Sequence, residues 1–472
     1  MTATARIAAA TTLACALCSF DVRADDLASL RAELDGLKSE YTGRIATLEK
    51  RIAELEAQAA AAPAVAAAAA PAPSGHATGT GTAFNPAMSV ILAGSYAHLS
   101  QDPATYRIQG FTPAGDAVGP GPRSFNLGES ELTFSSNVDP YFFANLTASI
   151  TGENTISVEE AYFRTTALTG GFTIKGGRFF AGYGYLNDVH AHAWDFIDQP
   201  LAYQAFFNGQ LSEDGVQLKW LAPTDMFIEF GAESGNGGHF PGTRRDRNGP
   251  NGGGLFMHLG DDIGDSASWR AGVSWVELSA DNRGEFGGLV FAAPAQLGLP
   301  PVVAFAALDS FTGSSRTWVV DATLKWAPHG NPTVHSLKVQ GEYLRRSESG
   351  TLDLGFPVTS PGTSYSAVQS GWYLQSVYQF RPRWRVGLRY DYLDSGTPNI
   401  GLPGSSLASV ESFLGLTPAV PRRLTWMLDW SPSEFSRLRA QFAWDDARAT
   451  VRDRQLFLQY LYSIGAHGAH KF

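Results

Sequence analysis

Four side chains near the middle of the sequence belong to types that bind divalent metal ions. His190 and His192 are separated by a single residue, and Asp195 and Asp198 follow closely. Imidazole nitrogens and carboxylate oxygens are both ligands of zinc, and alternate side chains of an extended segment project to the same side. These four residues, in the long connection from Gly182 to Asp214, are therefore candidate ligands for a divalent metal such as zinc.

The same connection has two other interpretations. A polar and aromatic loop of this kind can fold into a pore and constrict it, with its histidines hydrogen-bonded to carboxylates. It can also lie on the surface as an ordinary loop. Of the three, the sequence favours the constriction, because a few dispersed ligands in one loop are a weak indication of a metal site.

A second set of charged side chains alternates with apolar ones. Arg385 and Arg389, for example, alternate with Val386, Leu388 and Tyr390. An arginine facing lipid at the middle of a bilayer costs about 2–4 kcal/mol, so in a membrane protein these charges must face a polar interior. We predict an electropositive pore wall with glutamates opposite it, because rings of charge select solutes in pores. The predicted pore-lining residues are Arg178, Arg383, Arg385, Arg389, Arg423, Arg437, Arg439, Glu129, Glu131, Glu160 and Glu229.

The composition excludes several classes of protein. The formal net charge of −10 argues against a nucleic-acid partner. The two cysteines, Cys15 and Cys18, lie in the N-terminal segment, so the rest of the chain has no disulfide, thiolate metal site or cysteine nucleophile. The sequence contains no Gly-x-Ser-x-Gly, phosphate-binding glycine-rich loop or His-Glu-x-x-His motif. We expect neither enzymatic activity nor a resident cofactor.

The elements that must position these residues are β-strands. From Phe84 to Phe472 the sequence repeats segments of roughly ten residues in which apolar and polar residues alternate, the signature of a membrane-spanning barrel. We predict an all-β transmembrane barrel of about 16 antiparallel strands over residues 84–472. A soluble two-sheet domain is the alternative, but it leaves the charged face unexplained. The strands are predicted to begin near Met88, Phe125, Tyr141, Ile156, Phe172, Gly215, Met226, Leu255, Ser268, Arg316, His335, Gly371, Arg383, Arg422, Phe435 and Arg452.

The connections between the predicted strands mostly alternate between long and short. The long ones are 101–124, 182–214, 235–254, 278–315, 347–370 and 394–421, and the short turns are 137–140, 222–225, 381–382 and 431–434. An even number of strands places both termini on one side of the membrane. With the N-terminal segment in the periplasm, every short turn also lies there and every long loop lies outside.

Three segments precede the predicted barrel. Residues 1–24 have a positive start, an apolar run and small residues before the cleavage point, which indicates a signal peptide. Residues 25–58 are charged and repeat large apolar or aromatic residues every seven positions, which predicts a periplasmic α-helical coiled coil; a lone amphipathic helix is the alternative. The repeated residues are Leu27, Leu34, Tyr41, Leu48 and Leu55. Residues 59–83 are rich in Ala, Pro, Gly, Ser and Thr and predict a linker.

Six short motifs carry a resemblance to a known family. They are Phe84-Asn85-Pro86-Ala87-Met88, Asn137-Val138-Asp139-Pro140-Tyr141, Val158-Glu159-Glu160-Ala161-Tyr162, Gly177-Arg178-Phe179-Phe180, His190-Ala191-His192-Ala193-Trp194-Asp195-Phe196 and Trp220-Leu221-Ala222-Pro223-Thr224-Asp225. Together they resemble a poorly characterised family of proteobacterial outer-membrane proteins, sometimes catalogued as zinc-regulated and TonB-dependent receptor-like. The resemblance implies contact with lipid in the cell outer membrane of a Gram-negative bacterium. The terminal Phe472 resembles the signal by which the barrel-assembly machinery recognises such proteins.

The predicted layout differs from that of a TonB-dependent receptor. Such a receptor has an N-terminal plug domain and a barrel of 22 strands, whereas residues 25–83 hold only the predicted coiled coil and linker. A coiled coil followed by a 16-stranded barrel resembles instead the trimeric phosphate- and pyrophosphate-selective porins. This architecture implies a homo-oligomer held by the coiled coil, with three chains as the expected number.

Three functions are compatible with these features. The first is an outer-membrane porin for passive diffusion of small hydrophilic solutes, anions among them. The second is an outer-membrane receptor or specific uptake channel for a metal or metal chelate, which would use the loop around His190. The third is a structural outer-membrane anchor. The sequence favours the porin and leaves the transported solute open.

Overall fold

The computed structural model describes residues 43, 50, 86–112, 118–152, 154–244, 246–284, 290–292, 304–306, 310–353, 362–401, 416–448 and 450–465. The predicted signal peptide and linker lie outside these residues, as does Phe472. The predicted coiled coil also lies outside them, apart from two isolated helical positions, Gly43 and Lys50. These segments therefore remain predictions.

Antiparallel β-strands make up most of the described chain. They are β1 (Ala87–Leu99), β2 (Ser124–Leu127), β3 (Ser130–Asn137), β4 (Phe142–Ile150), β5 (Ile156–Thr165), β6 (Phe172–Phe180), β7 (Ser212–Leu221), β8 (Phe227–Gly235), β9 (Gly252–Ile263), β10 (Ala267–Gly284), β11 (Val290–Ala292), β12 (Ala304–Ala306), β13 (Ser310–Trp326), β14 (Ser336–Asp353), β15 (Thr363–Arg381), β16 (Trp384–Asp394), β17 (Asn399–Ile400), β18 (Arg422–Ser433), β19 (Ser436–Asp445) and β20 (Asp453–Gly465). The helical segments are α1 (Leu201–Phe207) and 3₁₀ turns at Pro103–Thr105, Ala191–Ala193 and Pro328–Gly330. Among the described residues, no helix has both the length and the apolar character needed to cross a membrane.

Eighteen of these strands form one sheet, which closes because β1 pairs with β20. β2 and β3 pair in succession with β1 and act as one interrupted strand. β17 has only two residues, and it pairs with β15 beyond the end of β16. The sheet is therefore a closed antiparallel barrel of 16 strands, which confirms the strand number predicted from the alternation.

Some strands are longer than the alternation predicts. β14 ends at Asp353 and β15 begins at Thr363, so most of the loop predicted at 347–370 is strand. β10 likewise extends to Gly284, into the loop predicted at 278–315. These extensions are rich in Ser, Thr and Gly and lack a large apolar stripe, but their backbone groups pair across the strands. Backbone pairing sets the end of a strand, whereas the sequence pattern shows only its apolar part.

The two faces of the barrel differ in chemistry. On β18, Trp426, Leu428 and Trp430 point outward and are exposed, whereas Met427 and Asp429 between them point inward and are buried. The same alternation is present on the other long strands, because successive side chains of a strand point to opposite faces. The outside of the barrel is therefore apolar, and the inside carries most of the strand charges.

The interior is partly filled by two long connections. Loop 3 is defined as residues 181–211, between β6 and β7, and it contains α1. All seven residues of α1 are buried against the inner wall of the barrel. Loop 1, residues 100–123, packs on α1 through the rings of Phe111 and Phe206, whose centroids are 5.8 Å apart. Loop 3 is thus not a plain surface loop, and it crosses the interior of the barrel.

The outward face generates a prediction about the environment of the barrel. We expect Leu428→Arg to destabilise the barrel by about 2–4 kcal/mol in a bilayer, because Leu428 lies near the middle of its strand, where a lipid-facing arginine is costly. The measurement is urea-dependent equilibrium folding into lipid vesicles. The matched control is Val451→Arg, since Val451 is also an exposed apolar residue but lies in the connection between β19 and β20. Equal unfolding midpoints for the two variants would contradict a lipid-facing outer surface.

Candidate functional site

Loop 3 is tied at its base by one amide side chain. The Nδ2 group of Asn187 donates to the carbonyls of Ala181 and Leu211 at 2.7 and 2.8 Å, and its Oδ1 accepts from the Leu211 amide at 2.8 Å. Both ends of the loop are thereby joined. Within the loop, Pro200 precedes α1, and Asn208 ends it in the left-handed conformation at φ 51°, a conformation that asparagine tolerates better than most residues.

A buried carboxylate of the barrel wall anchors the first half of the loop. Glu342 on β14 accepts hydrogen bonds from the backbone amides of Tyr185 and Leu186 at 3.2 and 3.0 Å. It also accepts from the hydroxyl groups of Tyr203 at 2.8 Å and Tyr373 at 2.6 Å. A buried carboxylate with this many donors is well satisfied, so the loop is held in one position relative to the wall.

The aspartates of loop 3 contact arginines and a lysine of the barrel. Asp195 lies 2.8 Å from Lys338 and 3.1 Å from Arg385. Burial would raise the pKa of Asp195, but Lys338 and Arg385 outweigh it and hold that pKa below its ordinary value. Asp198 lies 2.9 Å from Arg389 and 2.6 Å from Arg423. Burial would raise the pKa of Asp198, but the two arginines outweigh burial and hold that pKa below its ordinary value.

We call the inner surface of β16, β18 and β19 the basic wall; its arginines are Arg385, Arg389, Arg423, Arg437 and Arg439. Across the three strands of this wall, residues at the same level alternate between arginine and aspartate. Asp429 is the cross-strand partner of Arg385 and Arg439, and Arg423 is the cross-strand partner of Asp391 and Asp445. Three wall aspartates and two loop aspartates therefore balance the five arginines. Arg389, Arg423 and Arg439 are almost completely buried beneath loop 3.

The histidines of loop 3 face the other way, toward carboxylates that we call the acidic wall: Glu131 on β3, and Glu159 and Glu160 on β5. The Nδ1 atom of His190 lies 3.1 Å from Glu159 and 3.4 Å from Glu131, and its Nε2 atom lies 3.1 Å from Glu160. His192 lies 2.8 Å from Glu131. Burial would lower the pKa of His190, but its hydrogen bonds with the three glutamates outweigh burial and hold that pKa well above its ordinary value.

The predicted metal-ligand set is therefore corrected. Asp195 and Asp198 are engaged by the basic wall, whereas His190 and His192 lie at the acidic wall, so the structure does not bring the four residues together. The two walls are separated by β20 and β1, whose inner surface between them carries Ala97, Leu99 and Phe457. Ile197 of loop 3 packs on this apolar surface. The side chains that lie beside His190 and that the spacing did not include in this set are carboxylates of the barrel, Glu131 and Glu159.

Glu159 reaches the interior through a β-bulge. Thr147 on β4 pairs with Glu160, and the next residue pairs with Val158, so Glu159 is the extra residue of β5. A bulge re-aims side chains locally, and two successive glutamates thus both reach His190, Glu159 at its Nδ1 atom and Glu160 at its Nε2 atom. The indication in the sequence was the adjacent pair of charges, which breaks strict alternation.

Two of the predicted pore-lining arginines lie elsewhere. Arg178 is the cross-strand partner of Asp214, and the two side chains are 2.6 Å apart. Asp214 lies on the outward face of β7, as Val216 does, so this pair points away from the interior. An arginine at the end of a strand is tolerated on that face because it is paired and away from the strand centre. Arg383 lies in the turn between β15 and β16, where it donates to the carbonyl of Pro432 at 2.7 Å. The prediction of a pore position is wrong for both residues.

The predicted glutamates all have partners on the inner side. Glu131 and Glu160 belong to the acidic wall, and Glu129, between β2 and β3, lies beside Glu159. Glu229 on β8 lies 2.6 Å from Lys219 and 3.2 Å from His258.

A third charged group surrounds Tyr185 of loop 3 and was not predicted. The charged ends of Arg270 on β10, Lys325 on β13 and Lys338 on β14 lie 5.2, 6.0 and 5.1 Å from the centre of the Tyr185 ring. All three side chains are half-buried. Within the described part of the chain, Lys338 pairs with Asp195, but neither Arg270 nor Lys325 has a carboxylate within salt-bridge distance. We call these residues the Tyr185 cluster.

A closed 16-stranded antiparallel barrel with an apolar outside and a charged inside is the architecture of a transmembrane β-barrel. The chain is 31% identical over 413 residues to an uncharacterized protein of Aquifex aeolicus (strain VF5), which covers 83% of this chain and 80% of that protein. It belongs to the same family as that protein.

No protein-family model matches the chain. Among solved structures it is similar to OmpT of Vibrio cholerae lacking loop L8, with 12% identity, coverage of 80% of this chain and 99% of that one, and a TM-score of 0.48. It is also similar to Pseudomonas putida OprB at high pH, with 13% identity, coverage of 80% and 94%, and a TM-score of 0.48. At these values the similarity contributes nothing to the assignment of function.

The contacts of Asp198 generate a prediction about stability. We expect Asp198→Ala to cost about 3–5 kcal/mol in the free energy of unfolding, because two buried arginines lose a partner. The measurement is urea-dependent equilibrium folding into vesicles. The control is Asp265→Ala, which removes a carboxylate at an exposed turn beside His329 and should leave the unfolding midpoint unchanged. Equal midpoints for both variants would show that loop 3 is not held by the basic wall.

Proposed function

We propose that the protein is an outer-membrane channel through which small hydrophilic solutes diffuse passively, with anions preferred. The observation that carries this proposal is the Tyr185 cluster, three half-buried cations around one aromatic ring inside the barrel. A cationic constriction attracts anions and repels cations.

The outer surface supports the location. Trp, Leu and Tyr side chains are exposed at alternate positions of the strands, for instance Leu458, Tyr460 and Tyr462 on β20. A row of exposed apolar side chains on every long strand is unfavourable in water but favourable against lipid. A closed barrel also leaves no unpaired strand edge for lipid to contact. Both properties suit a barrel that spans the outer membrane.

The interior supports a channel that loop 3 narrows. Loop 3 crosses the barrel and is anchored by Glu342, the acidic wall and the basic wall. At its margin the side chains of Lys338 and Arg385 remain 26% and 27% exposed, so water reaches them. The path for solutes therefore runs beside loop 3, past charged groups that are still hydrated.

The basic wall does not provide the selectivity that the sequence predicted for it. Its arginines are balanced by aspartates and are mostly buried, so a passing anion contacts few of them. Among the described residues, Arg270 and Lys325 have no carboxylate within salt-bridge distance, although the buried Asp321 acts on Arg270 from farther away; both cations remain partly exposed. We therefore assign anion preference to the Tyr185 cluster rather than to the basic wall.

We also propose that the channel is a homo-oligomer joined by the predicted coiled coil of residues 25–58, with three chains. A coiled coil with apolar residues spaced by seven associates with its own copies. Light scattering of the purified full-length protein, and of a variant lacking residues 25–58, measures the number of chains directly. A monomeric full-length protein would contradict this part of the proposal.

The test of anion preference is the reversal potential of the reconstituted protein in a planar bilayer under a KCl gradient. We expect the wild type to favour chloride and the double variant Arg270→Gln, Lys325→Gln to lower the anion-to-cation permeability ratio by at least about fivefold. One unit charge about 4 Å from an ion contributes about 1 kcal/mol in water, which corresponds to about a fivefold change, and the double variant removes two such charges.

The matched control is Arg316→Gln on the same strand as Lys325. Arg316 points outward, pairs with Glu277 at 2.9 Å and is 55% exposed, so its loss should leave the permeability ratio unchanged. A cation-selective wild type would overturn the anion assignment. A folded barrel without conductance would overturn the channel itself and favour a structural anchor.

A further inference from the structure

We propose that loop 3 and the acidic wall together bind one divalent transition-metal ion, with the Nδ1 atom of His190 and the carboxylates of Glu131 and Glu159 as ligands. This site lies apart from the Tyr185 cluster and does not depend on the proposed channel function. It also differs from the metal site suggested by sequence spacing, since two of its three ligands belong to the barrel.

The geometry of the three ligand atoms suits a small metal ion. One ligand atom each of Glu131, Glu159 and His190 lies within 4.8 Å of the other two. The Nδ1 atom of His190 is 3.1 Å from Glu159 and 3.4 Å from Glu131. Ligand atoms about 2.0–2.1 Å from a tetrahedral zinc ion lie roughly 3.3–3.4 Å apart. The two separations that involve His190 therefore match a coordination shell, and the third, between the two carboxylates, is no longer than 4.8 Å.

The surroundings of the three ligands orient them. A metal-ligating histidine usually donates its other ring N–H to a carboxylate, which fixes the tautomer. Here Glu160 lies 3.1 Å from the Nε2 atom of His190, which directs Nδ1 to Glu131 and Glu159. The second oxygen of Glu131 is held by His192 at 2.8 Å. Both a ring and a carboxylate of the proposed shell are thus fixed by neighbouring groups.

Charge and access favour the same interpretation. Four glutamates meet here, namely Glu129, Glu131, Glu159 and Glu160, and among the described residues the cationic groups beside them are the two loop histidines and Lys175, which acts on Glu160. The side chain of Glu131 is 1% exposed and that of Glu159 is 12% exposed, so a bound cation would offset carboxylates that water solvates poorly. His190 is 21% exposed and provides access from the interior.

The ligand set indicates the class of metal. An imidazole with two carboxylates suits zinc and neighbouring transition metals, whereas magnesium and calcium prefer oxygen ligands alone. Three protein ligands leave one position for water. Because Glu131 and Glu159 lie on β3 and β5 while His190 lies in loop 3, a bound ion fastens loop 3 to the barrel wall.

The test is a titration of the full-length protein, purified in detergent and treated with EDTA. Isothermal calorimetry with Zn²⁺ should give one equivalent per chain, and Co²⁺ should give the visible absorption of four-coordinate cobalt. We expect His190→Ala to remove this equivalent and Glu160→Gln, which leaves the ligands intact, to weaken binding about 10–100-fold. Heat-modifiable migration on gels verifies that each variant is folded.

The control variant is His239→Ala. His239 is also a partly buried loop histidine, but its Nε2 atom is 3.1 Å from the Ser212 hydroxyl, so its loss should leave the titration unchanged. A wild type without a stoichiometric metal would overturn the proposal, as would a His190→Ala variant that binds like the wild type. Since none of these measurements involves conductance, failure here is distinguishable from failure of the proposed channel.

Discussion

The structure depends on charge complementarity between loop 3 and two regions of the barrel wall. The loop turns its histidines to glutamates of β3 and β5, and its aspartates to arginines of β16, β18 and β19. Between these contacts it places Ile197 on the apolar inner surface near β1 and β20. A buried charge without a partner is expensive, so the contacts of the loop stabilise both walls and favour one position of the loop.

This constraint decides where charge remains available to a solute. The arginines of the basic wall are used in holding loop 3, and their partners cancel their charge. Of the cations near Tyr185, Lys338 pairs with Asp195, whereas Arg270 and Lys325 lie beside the aromatic face with no carboxylate within salt-bridge distance among the described residues. A cation over an aromatic ring keeps its full charge. The proposed channel therefore selects at a place distinct from the most arginine-rich part of the wall. The two uses of positive charge, for structure and for selection, are separated in space.

Much of the barrel could be predicted from the sequence. Alternation identified the 16 strands and the polar side of β16, β18 and β19. It could do so because successive side chains of a strand point to opposite faces, so that apolar and polar residues take alternate positions. It was less reliable at strand ends, where Ser- and Thr-rich segments continue the pairing, and at the barrel rim, where Arg178 is paired with Asp214 on the outward face. Alternation also could not predict Glu159, because a bulge changes the parity of a strand by one residue without a fixed sequence signal.

The sequence by itself determined which stretches become strands and which face of each strand meets lipid. The reason is that a face in contact with hydrocarbon requires apolar side chains, whereas a face in contact with water accepts polar and charged ones. It also marked 182–214 as the segment that narrows the interior. Only the tertiary structure decided which charges meet. His190, Glu131 and Glu159 are far apart in the sequence, and so are Asp198 and Arg423. Their pairing depends on barrel closure, strand register and the path of loop 3, which are properties of the whole sheet and of no single segment.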